Sequence, residues 1–262
     1  MKIGISSAVF YPLESEKAIE KALRLGFDTF EFFFNCDYEI SEEFIELIKE
    51  KLDRAGARVL SIHPYTAFAE SVFLFSEYSR RTDENIRRYA KSFKAAKKLG
   101  AKYFTFHGDR LQSGAEKYAF ADRHCEALKR LAATALDNDI KLCLENVSWC
   151  KSSSPEYQCE VAQRVGDIFF TLDLKQARRA GVSVDEYISA MGERIMNLHL
   201  SDCDAQNDCL LPGEGEVDYS SFFEKMRKNG YNGDVIIEVY SSNFREEGQL
   251  TRSKCFLEDV VR

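Results

Sequence analysis

The chain has 262 residues, 45% hydrophobic and 13% aromatic, enough apolar material for one large α/β barrel or two small domains and too much for disorder. Its 36 basic residues against 43 acidic ones give a formal net charge of −7, which works against a surface built to neutralise nucleic-acid phosphates. No run approaches the ~20 apolar residues of a membrane span, the opening "MKIGISSAVF" is too short in its apolar part for a signal peptide, and eight cysteines without a CxxC pair read as reduced thiols, so a cytoplasmic protein is expected.

The first strand-like run, "KIGIS" (2–6), continues into "GISSAVFYP" with no glycine fingerprint, and a helical pattern follows over 15–26. "DTFEF" (28–32) carries Glu31 and precedes a helix over 41–56; "VLSIHP" (59–64) carries His63. The segment 65–78, "YTAFAESVFLFSEY", is too aromatic for a solvated loop and is expected to pack over a site or against another subunit. A helix over 83–100 leads to "YFTFHGD" (103–109) with His107, and one over 122–139 to "LCLENV" (142–147) with Glu145. Helices over 154–166 and 182–193 lead to "FFTLDL" (169–174) with Asp173 and "MNLHLSD" (196–202) with His199. The loop 201–217, holding Pro212, Gly213 and Gly215, is long enough to read as a lid or substrate loop. Asp218 reads as the N-cap of a helix over 218–230, "VIIEVY" (235–240) carries Glu238, and a last helix lies near 247–261.

Several helices close on a C-cap glycine, and "RLGFDTFEF", "RAGARVLSI" and "KLGAKYFTF" look like one repeated unit. Eight βα units without a linker predict a single domain over 1–262, an α/β fold closed as a (β/α)8 TIM barrel, with a doubly wound open sheet as the alternative. Alternation puts Leu60, Ile62, Phe104, Phe106, Leu142, Leu144, Phe170, Leu172, Met196, Leu198, Val235 and Ile237 on the helix-packed face. The opposite face then holds Thr29, Ser61, Thr105, Cys143, Thr171, Asn197 and Ile236, with Glu31, His63, His107, Glu145, Asp173, His199 and Glu238 at the strand ends above them. Barrel active sites lie at those C-terminal ends. Three carboxylates and three histidines at one mouth would repel and desolvate one another unless a divalent cation held them, with the small polar layer below orienting the ligands.

On "LEN" (144–146), "TLD" (171–173), "LHLSD" (198–202), "PGEGEVDY" (212–219) and "IIEVY" (236–240), the chain resembles the xylose isomerase-like barrel superfamily over its whole length. That superfamily includes sugar and sugar phosphate isomerases and epimerases, inosose dehydratases and the endonuclease IV enzymes. The resemblance implies that Glu145, Asp173, His199 and Glu238 hold one catalytic ion and that the two glutamates move protons. It also implies that His63 and His107 join Glu145 around a second ion, as in the endonucleases, giving one or two ions per chain. The oxygen-rich half suits Mn²⁺ or Mg²⁺ and the histidines suit Zn²⁺; Mn²⁺ and Zn²⁺ lead, ahead of Mg²⁺ and Co²⁺. Two departures stand out: Gln176 occupies the place of a family histidine, and the segment after His199, "SDCDAQNDCLLPGEGEVD", has no histidine for a third ion. Both count against phosphodiester cleavage.

The expected chemistry is isomerisation or epimerisation of a small sugar, sugar phosphate or polyol ketone through an enediolate, with Glu145 and Glu238 as the acid–base pair. Dehydration of an inosose, endonuclease-type hydrolysis and a non-catalytic sugar-binding barrel are the alternatives, and association into a homo-oligomer stays open. Glu31, Tyr65, Arg110, Trp149 and Gln176 are the expected substrate contacts, with a buried ion pair as the equal alternative for Glu31. Phe10, Phe33, Phe34, Tyr65, Phe68 and Trp149 are expected to form an apolar wall, and Arg110 and Lys151 to face a phosphate or carboxylate if the substrate has one. Arg87, Arg88, Lys97 and Lys98 read as solvated helix faces.

Overall fold

A computed structural model of the chain describes residues 1–66, 69–114 and 118–262. Eight parallel strands follow one another around a closed barrel: β1 (Ile3–Ser6), β2 (Thr29–Phe34), β3 (Arg58–Pro64), β4 (Tyr103–Phe106), β5 (Lys141–Glu145), β6 (Phe169–Asp173), β7 (Ile195–Leu200) and β8 (Val235–Ile237). The ring closes where Ile3, Gly4 and Ile5 of β1 pair with Val235, Ile236 and Ile237 of β8. The open-sheet alternative is thereby excluded.

Among the described residues ten α-helices connect the strands: α1 (Ser15–Arg24), α2 (Glu42–Ala55), α3 (Glu70–Phe73), α4 (Ser79–Lys98), α5 (Asp122–Leu136), α6 (Pro155–Val165), α7 (Leu174–Ala180), α8 (Val184–Met191), α9 (Tyr219–Lys228) and α10 (Gly248–Val261). None is long and apolar enough to cross a membrane. Short polar side chains start several of them by accepting an otherwise unpaired backbone N–H: Ser41 for α2, Ser154 ahead of Pro155 for α6, Ser183 in a capping box with Glu186 for α8, and Asp218 for α9.

Two helices lie outside the periodic segments. The single turn α3 falls inside the aromatic stretch after β3, where Leu74 and Phe75 are buried while Val72, Phe73 and Tyr78 face solvent. Helix α7 begins directly on β6 because the Asp173 side chain accepts from the Gln176 N–H at 2.8 Å, and it ends at Gly181, whose φ of 67° suits a residue without a Cβ. Seven residues are too few to show a helical period, yet this helix directs Lys175 and Gln176 to the end of β6.

The outward face of the barrel is apolar and helix-covered, with Ile62, Phe104, Phe106, Leu142, Phe170, Leu172, Leu198, Val235 and Ile237 fully buried. Inside, Ser61, Thr105, Cys143, Thr171 and Asn197 are also fully buried and form a small polar layer. One strand departs from the expected level. The pairing of β2 with β3 shifts between Phe30 and Glu31, so Glu31 lies opposite Ser61, while Phe33 lies opposite His63. Strand β2 runs on past Glu31, which therefore sits in the small polar layer and not among the strand ends.

Candidate metal centre

The six ionisable strand ends converge. Ligand atoms of Glu145, Asp173, His199 and Glu238 all lie within 4.8 Å of one another, and so do those of His63, His107 and Glu145. Glu145 belongs to both groups. His199 Nδ1 is the centre of the first: Glu238 Oε2 is 3.1 Å away, Glu145 Oε1 3.2 Å and Asp173 Oδ2 3.7 Å. Asn146 ties the two carboxylate strands together, its side chain donating to the Asp173 carbonyl and accepting from the Asp173 N–H. Among the six, the Glu238 and His107 side chains are 11% and 15% exposed and the rest 3% or less, so the site opens past those two.

The far side of His199 explains Glu31. His199 Nε2 donates to Glu31 Oε2 at 2.9 Å, and the same oxygen accepts from Ser61 at 2.8 Å and from Thr105 and Asn197 at 3.2 Å. A buried carboxylate on one imidazole nitrogen sets the ring's tautomer and leaves the other lone pair for a metal. Glu31 is fully buried, so of its two expected roles the buried pair is the one the geometry takes, and the substrate contact is corrected.

Electrostatics follow from burial and neighbours. Burial works to raise Glu145, but hydrogen bonds from His107, His199 and His63 hold it well below the usual carboxylate range. Burial pushes Asp173 up to about 6, against the nearby charge of Lys175. Glu238 is held well below its usual range, the charges of Lys175 and His199 overcoming burial. His199 is raised well above its ordinary value despite burial, by Glu31 and Glu238, and His63 up to about 9 despite burial, chiefly by Glu145 and Glu31. Burial draws His107 down.

The donor set fits a divalent cation. Glu145 Oε2 and Asp173 Oδ2 are buried and meet His107 Nε2 at 3.0 Å and Lys175 Nζ at 3.2 Å without good hydrogen-bond geometry, so each oxygen keeps a lone pair for a cation. Three carboxylates and one imidazole suit a hard or borderline ion. Around the second group, His63 Nδ1 donates to the Pro64 carbonyl at 3.2 Å, which turns Nε2 toward His107 Nε2 at 2.9 Å and Glu145 Oε2 at 3.7 Å.

The remaining expected residues divide. Phe33 stacks on His63 at 4.8 Å, Trp149 meets His107 edge-on at 5.4 Å, and the exposed Arg110 guanidinium lies 5.7 Å from the Trp149 ring, so these three stand at the mouth. The Tyr65 hydroxyl donates to Asp37 at 2.6 Å. Gln176 is buried, and its Oε1 accepts from the Ser148 N–H at 3.1 Å, which leaves its amide nitrogen as the group for any substrate. Phe34 packs behind the strand against Phe32, Phe10 is buried under α1 with Lys21 over its ring, and Phe68 lies outside the described residues. Lys151 does not face a ligand: it is buried against Asp109 at 2.8 Å and donates to the Ala119 carbonyl. The helix cations pair with surface carboxylates, Arg88 with Asp37 and Arg87 with Glu84.

The loop 201–217 is pinned. Asp202, buried after β7, accepts from the backbone N–H groups of Cys203, Gly213 and Val217, each at 2.9 Å, and Ser253 of α10 donates to the Pro212 carbonyl. Such a fastened loop is scaffold, which corrects the lid reading. Lys175 was absent from the sequence-derived set: its ammonium lies 3.0 Å from Glu238 Oε2 and 3.2 Å from Asp173 Oδ2. Its only signal was its place two residues after Asp173.

Residues 19–259 match the sequence model of a family described as the xylose isomerase-like TIM barrel. The chain belongs to this family. An uncharacterized protein of Methanocaldococcus jannaschii is 24% identical over 94% of this chain and 85% of its own length. Fructoselysine 3-epimerase of Escherichia coli O157:H7 is 22% identical over 94% of this chain and 93% of its own. The crystal structure of a D-tagatose 3-epimerase-like protein superposes with a TM-score of 0.81 at 22% identity, covering 100% of this chain and 97% of that one. At such identity the superposition speaks for the barrel of this xylose isomerase-like protein and not for its site.

Proposed function

We propose that this protein is a divalent-metal-dependent isomerase or epimerase of a small sugar, sugar phosphate or related polyol ketone, acting as one cytoplasmic domain. The observation that carries the proposal is the gathering of Glu145 and Glu238 around His199 Nδ1, at 3.2 and 3.1 Å, with Asp173 completing the group. The likeness to fructoselysine 3-epimerase supports the same reaction class.

A divalent ion held by Glu145, Asp173, His199 and Glu238 would polarise a bound ketone and share the negative charge that develops on its oxygens. The chain's residues supply the rest. Glu238, the more exposed glutamate, can take a proton from the carbon beside the carbonyl, and Glu145, after taking a proton from water, can give one back. Return to the same carbon inverts it; return to its neighbour isomerises the sugar. Phe33 and Trp149 offer apolar faces to the carbon chain, and Arg110 a charge for an anionic substituent. Mn²⁺ suits the carboxylate-rich group best, and Zn²⁺ the histidine pair.

The test is proton exchange. Mn²⁺-loaded protein incubated with a ketose panel in heavy water is expected to place deuterium at one carbon of at least one sugar, and none anywhere across the panel would refute the reading. The His63, His107 and Glu145 group favours a second reading, a dinuclear hydrolase, which nicking of abasic-site DNA by the Zn²⁺-loaded protein would support.

A further inference from the structure

Lys175 has no part in the chemistry outlined above, yet it lies deeper in the site than any residue at the mouth. The oxygens it contacts, Glu238 Oε2 at 3.0 Å and Asp173 Oδ2 at 3.2 Å, are the ones that face His199 Nδ1. The lysine side chain is 4% exposed, so water does little to screen it. Its ammonium also lies 5.1 Å from the centre of the Tyr240 ring, which is 44% exposed and receives a hydrogen bond on its hydroxyl from Arg179. One wall of the lysine's surroundings is therefore the metal position, and the other is an aromatic ring leading out of the barrel.

Neighbouring side chains offer no competing explanation. Gln176 turns its oxygen to the backbone after β5, and Arg178 is drawn away to Asp208 and the Asp204 carbonyl. Among the described residues, Lys175 is the Lys or Arg side chain that pairs with the carboxylates of the cluster. Three carboxylates around one imidazole, with Glu31 on its far side, need a positive charge to stay together. Lys175 is placed to supply it.

We propose that Lys175 is a placeholder for the metal: it and a divalent cation compete for Asp173 Oδ2 and Glu238 Oε2. The inference rests on the metal-site reading given above. In the metal-free protein the ammonium holds the two carboxylates in place. When an ion takes those oxygens, two cations sharing them repel, and the ammonium withdraws along Tyr240 toward the mouth. The lysine thus preserves the site before loading and loosens the ion's hold after it. A shifted Lys175 then presents a cationic donor beside the ion, where an oxygen of the substrate can accept from it.

The experiment is calorimetric titration of Mn²⁺ into metal-free wild-type protein and into Lys175→Met and Lys175→Gln. Competition predicts at least tenfold tighter Mn²⁺ binding in both variants, together with a lower melting temperature of the variants before metal is added. Equal or weaker binding in the variants would overturn the placeholder and leave the metal reading intact. No binding of Mn²⁺ or Zn²⁺ by any of the three proteins would remove both. Reductive methylation of the wild type, read by mass spectrometry, needs no variant to fold: Lys175 is expected to react faster with Mn²⁺ present, and an unchanged rate overturns the proposal.

Discussion

Two clusters share Glu145, and they are built differently. Around His199 the imidazole and Asp173 have fixed partners behind them: Glu31 orients the ring, Asn146 fastens the Asp173 backbone, and the Asp173 Oδ1 atom caps α7. Around His63 and His107 the two rings meet nitrogen to nitrogen at 2.9 Å; His63 Nδ1 donates to the Pro64 carbonyl, but His107 Nδ1 is buried without a hydrogen-bond partner among the described residues. A ligand whose other atoms are already bonded needs little rearrangement to hold an ion, whereas one lacking such support must give up freedom on binding. On the proposed metal reading, the first cluster would hold an ion more tightly than the second.

Breaking the shared residue has the largest expected effect. Glu145→Gln should abolish ion binding at both clusters and slow deuterium exchange into any active ketose by ~10³-fold, within the usual range for a removed acid or base. Glu31→Gln touches neither substrate nor ion, but it removes the anion behind His199. A loss of ~10–100-fold in Mn²⁺ affinity is expected by calorimetry, and unchanged affinity would contradict the role given to Glu31. His107→Ala sharpens the contrast, because it should leave Mn²⁺ affinity at the His199 cluster unchanged while removing any second ion.

Acid should weaken the first cluster in a definite window. Asp173 takes up its proton at about 6 in the metal-free protein, and a protonated carboxyl is a poor ligand, so Mn²⁺ affinity should fall as pH drops through that value. Titrations from slightly alkaline to mildly acid pH would read it. The smallest effect concerns the support of the second cluster. Glu70 of α3 accepts from the Gly108 N–H beside His107 at 2.8 Å, and burial pushes its carboxyl up to about 8 from an ordinary 4.5. The folded state therefore binds that proton more tightly than the unfolded one. The resulting stabilisation is complete below about 4.5 and is lost as pH rises through about 8. Glu70→Gln should flatten this decline in melting temperature, as thermal scans across that range would show.

Most of the barrel was legible because each strand alternates sharply and ends where the apolar pattern meets an ionisable residue, as at His107, Glu145 and Asp173. The exceptions share a cause. In β2 the run "TFEFFF" is aromatic on both faces, so nothing in the pattern marks its end, and the level of Glu31, opposite Ser61 in a strand that continues to Phe34, is a property of two strands together. Lys175 lies in a helix of seven residues whose cap is itself a candidate ligand, and a sequence gives Asp173 only one reading at a time. Lys151 resembled a loop cation because its partner Asp109 is distant in the chain. Register, short helices and long-range ion pairs arise only on closure of the barrel.

The most direct test of the account is elemental analysis of the purified protein, before and after reconstitution with Mn²⁺ or Zn²⁺, beside Glu145→Ala and His107→Ala. The account predicts an ion that is lost with Glu145→Ala and kept with His107→Ala. No bound ion in the wild-type protein, even after reconstitution, would contradict it.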